Sequence, residues 1–373
     1  MTTPLHPQRI ERLREALKTS GLDALLILIE ANRRYLSGYT AEDGQFDETA
    51  GALLISDDHL LLATDSRYVL QAGKEAPGFE IICYPKGLLD ELPARLADLN
   101  IRRLGFESVR MSVKQHLKLQ EKILKAKGVS ALVPQDSLVE NLRACKDEQE
   151  IAATRKAVDC AETALRKLRQ RLRPGMTESE IARMLDDLMR KAGADGPSFP
   201  TIAAAGTNSA LPQAVPGEDR IKKGEPLLLD WGARVEGYCS DMSRTLIFGA
   251  PDDTFLECYH TVRKAQKAAI DAIRAGEACQ AVDAVARTII REAGFAGRFG
   301  HSLGHGTGLF VHEAPRLSPR SEDILQDGML VTVEPGIYLP DWGGIRLENQ
   351  VRVGTDRAVV LNTLDLEDFV LPA

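Results

Sequence analysis

Two domains of different class are predicted, an α/β unit over residues 1–140 and an α+β unit over residues 141–373. Three observations predict them. Up to about residue 135, short apolar runs alternate with helical periods. A charged stretch, Arg143–Glu150, then opens a long amphipathic segment, and from Leu330 to Leu364 the chain becomes strand-rich. The length of 373 residues suits two or three domains of roughly 150 residues each.

In chain order, Ile10, Leu13 and Leu17 line one helical face, and Gly21 stops that helix. Strands are expected at 24–29, 51–56, 59–64, 79–84 and 103–107, where compact apolar runs lie between turn residues. A helix over 112–127 ends before Gly128. The histidines of this first domain, His6, His59 and His116, lie far apart and lack ligand-type neighbours. Packing, assembly or shaping of a substrate entrance is therefore its expected part. In the second domain a helix from the charged stretch runs to about Leu172, where Arg173-Pro174-Gly175 breaks it. Thr177 and Glu180 have capping-box spacing, so a helix starts there and reaches about Lys191. Further helices are expected over 253–274 and 278–293, after a β-rich block. No internal repeat is present.

With 44% hydrophobic and 27% charged residues the composition is that of a globular protein. The net charge of -7 is spread through the chain, which argues against a nucleic-acid or membrane-surface role. Six scattered cysteines without a Cys-x-x-Cys pair argue against a disulfide framework and a thiolate zinc site. The polar N-terminal stretch lacks a signal-peptide core, and no apolar run approaches the ~20 residues of a membrane span. Cytoplasmic residence is the expectation.

Chemistry concentrates in the second domain. In PLLLDWGARVEGYCSDMSRTLIF a hairpin centred between Val235 and Glu236 would directly oppose Asp230 and Asp241, with Cβ atoms ~5 Å apart. In VTVEPGIYLPDWGGIRLENQVRV a hairpin centred on Asp341 would oppose Glu334 and Glu348. Thr332 and Arg346 then share the face of those glutamates, and Arg346 is a candidate for orienting ligand carboxylates. Opposed like charges destabilise a sheet unless a cation lies between them. FGHSLGHGTGLFVHEAP adds His301, His305 and His312 on a glycine-rich loop, whose glycines oppose a helical metal pair. His312-Glu313 lacks the second histidine of a His-Glu-x-x-His zinc site. Singly, each acid reads as a turn or strand residue. Jointly, two opposed carboxylate pairs and a histidine supply ligands for two divalent ions. The set is hard and oxygen-rich, so manganese is favoured, with cobalt, iron and zinc as the other ions considered. Two such ions ~3.5 to 4 Å apart can hold a bridging hydroxide and polarise a carbonyl, which makes hydrolysis the natural chemistry.

The order Asp230, Asp241, His305, Glu334, Glu348, with ten residues between the aspartates, resembles the pita-bread metallopeptidases from about residue 145 onward. The first domain is similar to the N-terminal domain of the creatinase, prolidase and aminopeptidase P branch. The resemblance implies a creatinase-like domain over 1–140 and a pita-bread catalytic domain over 141–373. It implies a cytoplasmic homodimer that hydrolyses the bond between an N-terminal residue and proline in short peptides. It also implies five metal ligands, Asp230, Asp241, His305, Glu334 and Glu348, with Asp241 and Glu348 bridging and Glu334 shuttling a proton. By the same resemblance His312 contacts the substrate and stabilises the tetrahedral intermediate, His301 joins His312 and Glu334 as a catalytic residue lining the pocket, and Tyr338 belongs to the same active site. One departure stands out: the branch carries a histidine after Leu-Pro, and here that residue is Gln213. Glutamine hydrogen-bonds but cannot titrate near neutrality, so acid-base help worth ~10²- to 10⁴-fold is lost, or another group supplies it, or the substrate differs from a simple Xaa-Pro peptide. Gln213 and Arg346 join His301, His312 and Tyr338 as expected substrate-side residues. A metal-dependent lyase or hydrolase of the same fold acting on a small non-peptide substrate is the alternative. A metal-free binding scaffold is a further one.

Overall fold

The computed structural model describes residues 7–45, 48–125 and 131–372. The chain divides into two compact units between Arg143 and Ala144.

The N-terminal unit is built on a six-stranded mixed sheet. Its strands are Ala24–Ile27, Ala52–Ser56, Leu60–Thr64, Glu80–Cys83, Arg103–Glu107 and Ala131–Gln135. Ala24–Ile27 sits inside the sheet, antiparallel to the second strand and parallel to the fifth. All four of its residues are buried, so it reads as a continuous apolar run rather than an alternation. The helix Pro7–Thr19 buries Ile10, Leu13 and Leu17 as their spacing requires, and the chain leaves it through Gly21 at φ +62°. Val113–Lys125 forms the later helix; its expected end before Gly128, like His6, lies outside the described residues. The sixth strand went unread in the sequence, because Pro134 and flanking polar residues mask its short apolar run. Short helices at Glu30–Ser37, Val69–Glu75, Leu88–Asp98 and Leu138–Ala144 carry too few turns for a clear period.

In the C-terminal unit two pairs of helices cover two hydrophobic cores, built on four sheets among the described residues. The long helix spans Glu148–Arg169 rather than starting at Arg143, because Asp147 caps it and Glu150 closes the capping box. Thr177 and Glu180 form the expected box ahead of Glu178–Lys191. These two helices pack on a four-stranded sheet that includes Ile202–Ala205, Pro226–Trp231 and Met242–Phe248. Fully buried Trp231 anchors that core and donates Nε1–H to Ala161 C=O at 3.0 Å. Helices Asp253–Ala272 and Cys279–Ile290 cover the second core, which holds Val331, Val333, Ile337, Ile345 and Val351. The strands contributing to it include Leu330–Val333, Gly336–Leu339, Gly343–Arg346 and Asn349–Arg352.

Candidate metal centre and active site

The first hairpin turns at Glu236-Gly237, both at positive φ (51° and 81°), and pairs Val235 with Tyr238. That is the backbone of a two-residue I′ turn, in which glycine at the second position relieves the strain. Asp230 consequently faces Ser243 rather than Asp241. The sequence-derived register is thus corrected by two residues. Because side chains alternate with period two, such a shift keeps both aspartates on one face, as diagonal rather than direct neighbours. The second hairpin has the expected register: Gly336 pairs with Arg346 and Leu339 with Gly343. The same register continues in Val333 opposite Asn349, which brackets Glu334 and Glu348 across from one another.

His305 lies on a short strand, Gly304–Gly306, and not on a helix. A Cβ at Gly304 would collide with the carbonyl of Thr332, so only glycine lets this strand approach so closely. His305 Nδ1–H donates to Gly306 C=O at 3.1 Å, which leaves the Nε2 lone pair facing the carboxylates. From Nε2, Asp241 Oδ2 is at 3.6 Å and Glu334 Oε1 at 3.4 Å. Potential ligand atoms of Asp241, His305 and Glu348 all lie within 4.8 Å of one another. Asp230 instead turns Oδ2 to Arg346 Nη2, at 2.6 Å.

Arg346 organises the floor. Its Nε–H donates to Ser243 Oγ at 2.8 Å and its Nη1 to Tyr338 Oη at 2.9 Å and Pro212 C=O at 3.1 Å. Ser243 Oγ–H donates to Glu348 Oε2 at 2.8 Å. Tyr338 Oη lies 2.8 Å from His301 Nε2, and His301 Nδ1 lies 2.8 Å from Ser302 C=O. These contacts fix the tautomer: Nδ1–H donates to the carbonyl and Nε2 accepts from the tyrosine. His312 stands with its ring 4.4 Å from that of His305.

Electrostatics follow from burial. Burial, then the neighbouring carboxylates, hold Asp241 and Glu348 well above the ordinary carboxylate range. Burial raises Asp230 and carries Glu334 to about 8, against the pull of Arg346. His301 and His305 are pushed down to about 4, mainly by burial, and His312 moves the same way. Burial lifts Tyr338 to about 12.

Do these residues fit metal ions? Asp230 Oδ1 and Glu348 Oε1 are buried without a hydrogen-bond partner. Buried carboxylate oxygens left unsatisfied are costly, and a cation satisfies them. The donors are carboxylate oxygens and one neutral imidazole, a set suited to hard or borderline divalent ions. The residues therefore fit.

They line a cavity of about 590 Å³ that nine of the ten sequence-derived site residues reach: Gln213, Asp230, Asp241, His301, His305, His312, Glu334, Arg346 and Glu348. Tyr338 lies behind the wall. Apolar walls come from Phe199, Pro200, Ile202 and Val311. Sequence reading missed Arg316, which lines the cavity, forms no salt bridge among the described residues and lowers the pKa of His305 and His312. Its position four residues after His312 was the available signal. Ser243 was missed too, and so was Gln350, whose Oε1 accepts the Asp241 N–H at 3.1 Å.

Comparison with known proteins bears on this site. Residues 152–355 match the model of metallopeptidase family M24, and residues 9–145 match the creatinase/prolidase N-terminal domain. An Xaa-Pro dipeptidase structure from Bacillus anthracis superposes with a TM-score of 0.91 at 39% identity, covering 98% of this chain and 99% of that one. An X-Pro aminopeptidase structure from Thermotoga maritima gives 0.86 at 37% identity, covering 96% and 100%. The Xaa-Pro dipeptidase of Pyrococcus furiosus is 32% identical over 361 residues, 96% of this chain and 99% of that protein. The chain belongs to metallopeptidase family M24, in the branch with a creatinase/prolidase N-terminal domain, and is an enzyme of the metallo-exopeptidase type.

Proposed function

We propose that this enzyme hydrolyses the bond between an N-terminal residue and proline, with Xaa-Pro dipeptides as preferred substrates. The observation that carries the reading is the convergence of Asp241, His305 and Glu348 donor atoms in a cavity that also presents Arg316. A cavity-wall guanidinium with no salt bridge among the described residues suits the free carboxylate of a dipeptide. The Xaa-Pro dipeptidase relatives support the same substrate class.

Asp230, Asp241, His305, Glu334 and Glu348 would hold two divalent ions, manganese first among the candidates. When bound, such ions supply Lewis acidity, lowering the pKa of water toward ~7 and polarising the scissile carbonyl. Glu334 is assigned the proton shuttle, moving a proton through Oε1, which Thr332 Oγ–H reaches at 3.3 Å. His312 stabilises charge on the carbonyl oxygen by donating a hydrogen bond. His301, held by Tyr338 and Ser302, borders the substrate, and Phe199, Pro200 and Ile202 exclude water around the proline ring. Gln213 can only orient the substrate amide. The chain divides its work between a creatinase-like domain, 1–140, and a catalytic domain, 141–373, in a cytoplasmic homodimer. No described helix is long and apolar enough to cross a membrane.

The test is hydrolysis of Xaa-Pro dipeptides and Xaa-Pro-Yaa tripeptides by metal-stripped protein, with and without added manganese. Metal-dependent release of the first residue, faster from dipeptides and abolished by Glu334→Ala, is expected. Turnover unaffected by metal removal would overturn the reading.

A further inference from the structure

A second cavity of about 540 Å³ lies in the C-terminal unit, with Leu165, Leu246, Leu364, Arg244 and Asp365 in its wall. Arg244 is only 3% exposed. Its Nη1 donates to the carbonyls of Ser243 at 2.9 Å and Glu348 at 2.5 Å, and its Nη2 to Asn349 Oδ1 at 2.9 Å. Its Nε is buried and has no hydrogen-bond partner. Among the described residues no carboxylate forms a salt bridge with this guanidinium. The other two arginines of the wall are matched, Arg166 by Glu162 at 2.9 Å and Arg169 by Asp368 at 2.7 Å. Asp365 is the opposite case: exposed in the same wall, it forms no salt bridge among the described residues and accepts the Glu367 N–H at 2.8 Å.

Among the described residues one cavity thus brings together an arginine without a salt bridge, whose charge Glu162 and Glu348 support only from a distance, an aspartate without a salt bridge, and leucine side chains. A buried charge lacking its partner is costly, and a carboxylate is the group that matches a guanidinium. We infer that this cavity binds a free α-amino acid as its zwitterion, the carboxylate toward Arg244, the ammonium toward Asp365 and an apolar side chain against Leu165, Leu246 and Leu364. Amino acids are what the proposed peptidase reaction releases, so the physiological sense of the site rests on that reading, although binding itself does not. Arg244 also holds the backbone of Glu348, which makes it a positioning residue between the two cavities.

Calorimetric titration of the full-length, metal-loaded protein with L-leucine, L-proline and acetate tests the inference without requiring turnover. Asp365→Asn is expected to weaken amino-acid binding about tenfold and to leave acetate, which carries the carboxylate alone, unchanged. Leu364→Trp fills the cavity and should remove binding of both. Asp365 is exposed and Leu364 only partly buried, so both variants should fold, as an unchanged melting temperature would verify. Equal amino-acid binding in wild type and both variants would assign it to the catalytic cavity and overturn the inference. So would absence of binding at about 1 mM ligand. Inactivity toward Xaa-Pro peptides with binding intact would instead overturn the peptidase reading alone.

Discussion

Arg346 and Asp230, 116 residues apart in sequence, meet through Nη2 and Oδ2 at 2.6 Å in the buried floor of the candidate-site cavity. The pair does more than neutralise one carboxylate. Burial by itself opposes the guanidinium charge, yet Tyr338, Asp230 and Glu334 together hold Arg346 firmly protonated. Its planar fork simultaneously engages Ser243 and Tyr338, tying both hairpins and the His301 ring into one network.

Arg346→Lys keeps the charge and loses the fork, so the ammonium cannot reach Asp230, Ser243 and Tyr338 together. Metal affinity is expected to fall ~10- to 100-fold, with activity following it. Metal titration alongside kcat measurement checks this, and an unchanged affinity would refute the orienting role.

Ser243→Ala removes the hydroxyl that donates to Glu348 Oε2 and accepts from Arg346 Nε. The expected result is metal binding weakened by about tenfold at unchanged melting temperature in the metal-free form. Metal content after dialysis against a buffered chelator is the readout.

Gln213→His installs a group that ordinarily titrates near pH 6.5 in the cavity wall. We expect kcat on Xaa-Pro dipeptides to rise by ~10²-fold, accompanied by a new limb in the pH profile near that value. A flat profile at the wild-type rate would mean that another residue already does this work.

Glu107 provides a stability test in the N-terminal unit. Buried at the end of its strand, it accepts Leu28 N–H, Ile29 N–H and Asn32 Nδ2–H, each at 2.6 Å. Burial outweighs these donors and carries its pKa from 4.5 to about 7. Since the folded state binds the proton more tightly, this group's stabilising contribution is full below pH 4.5 and is lost as pH rises to about 7. The loss amounts to at most about 3 kcal/mol. Urea unfolding between pH 4.5 and 7.5 should show the decline in wild type, and Glu107→Gln should flatten it while lowering stability by ~1–3 kcal/mol.

The carboxylate face was legible because strand periodicity is short-range. Asp230, Asp241, Glu334 and Glu348 fall at same-face positions of two hairpins, and the second register could be counted from Asp341. The first could not, because the turn type depends on Glu236 accepting a positive φ beside Gly237. The error moved partners by two residues and left the face intact. Similarly, the helix after Ala144 was visible from its period, while its true start depended on the Asp147 and Glu150 capping box.

By itself, then, the sequence determined the two-domain order, the cores and the residue types gathered at the candidate site, because hydrophobic periods, turn residues and residue spacing are local properties. Only the tertiary structure decided that Asp230 turns to Arg346 while Asp241 joins His305 and Glu348, and that Arg316 enters the same cavity. Those relations join side chains far apart in the chain, and such distances are set by how the sheets and helices pack rather than by any repeat along the backbone.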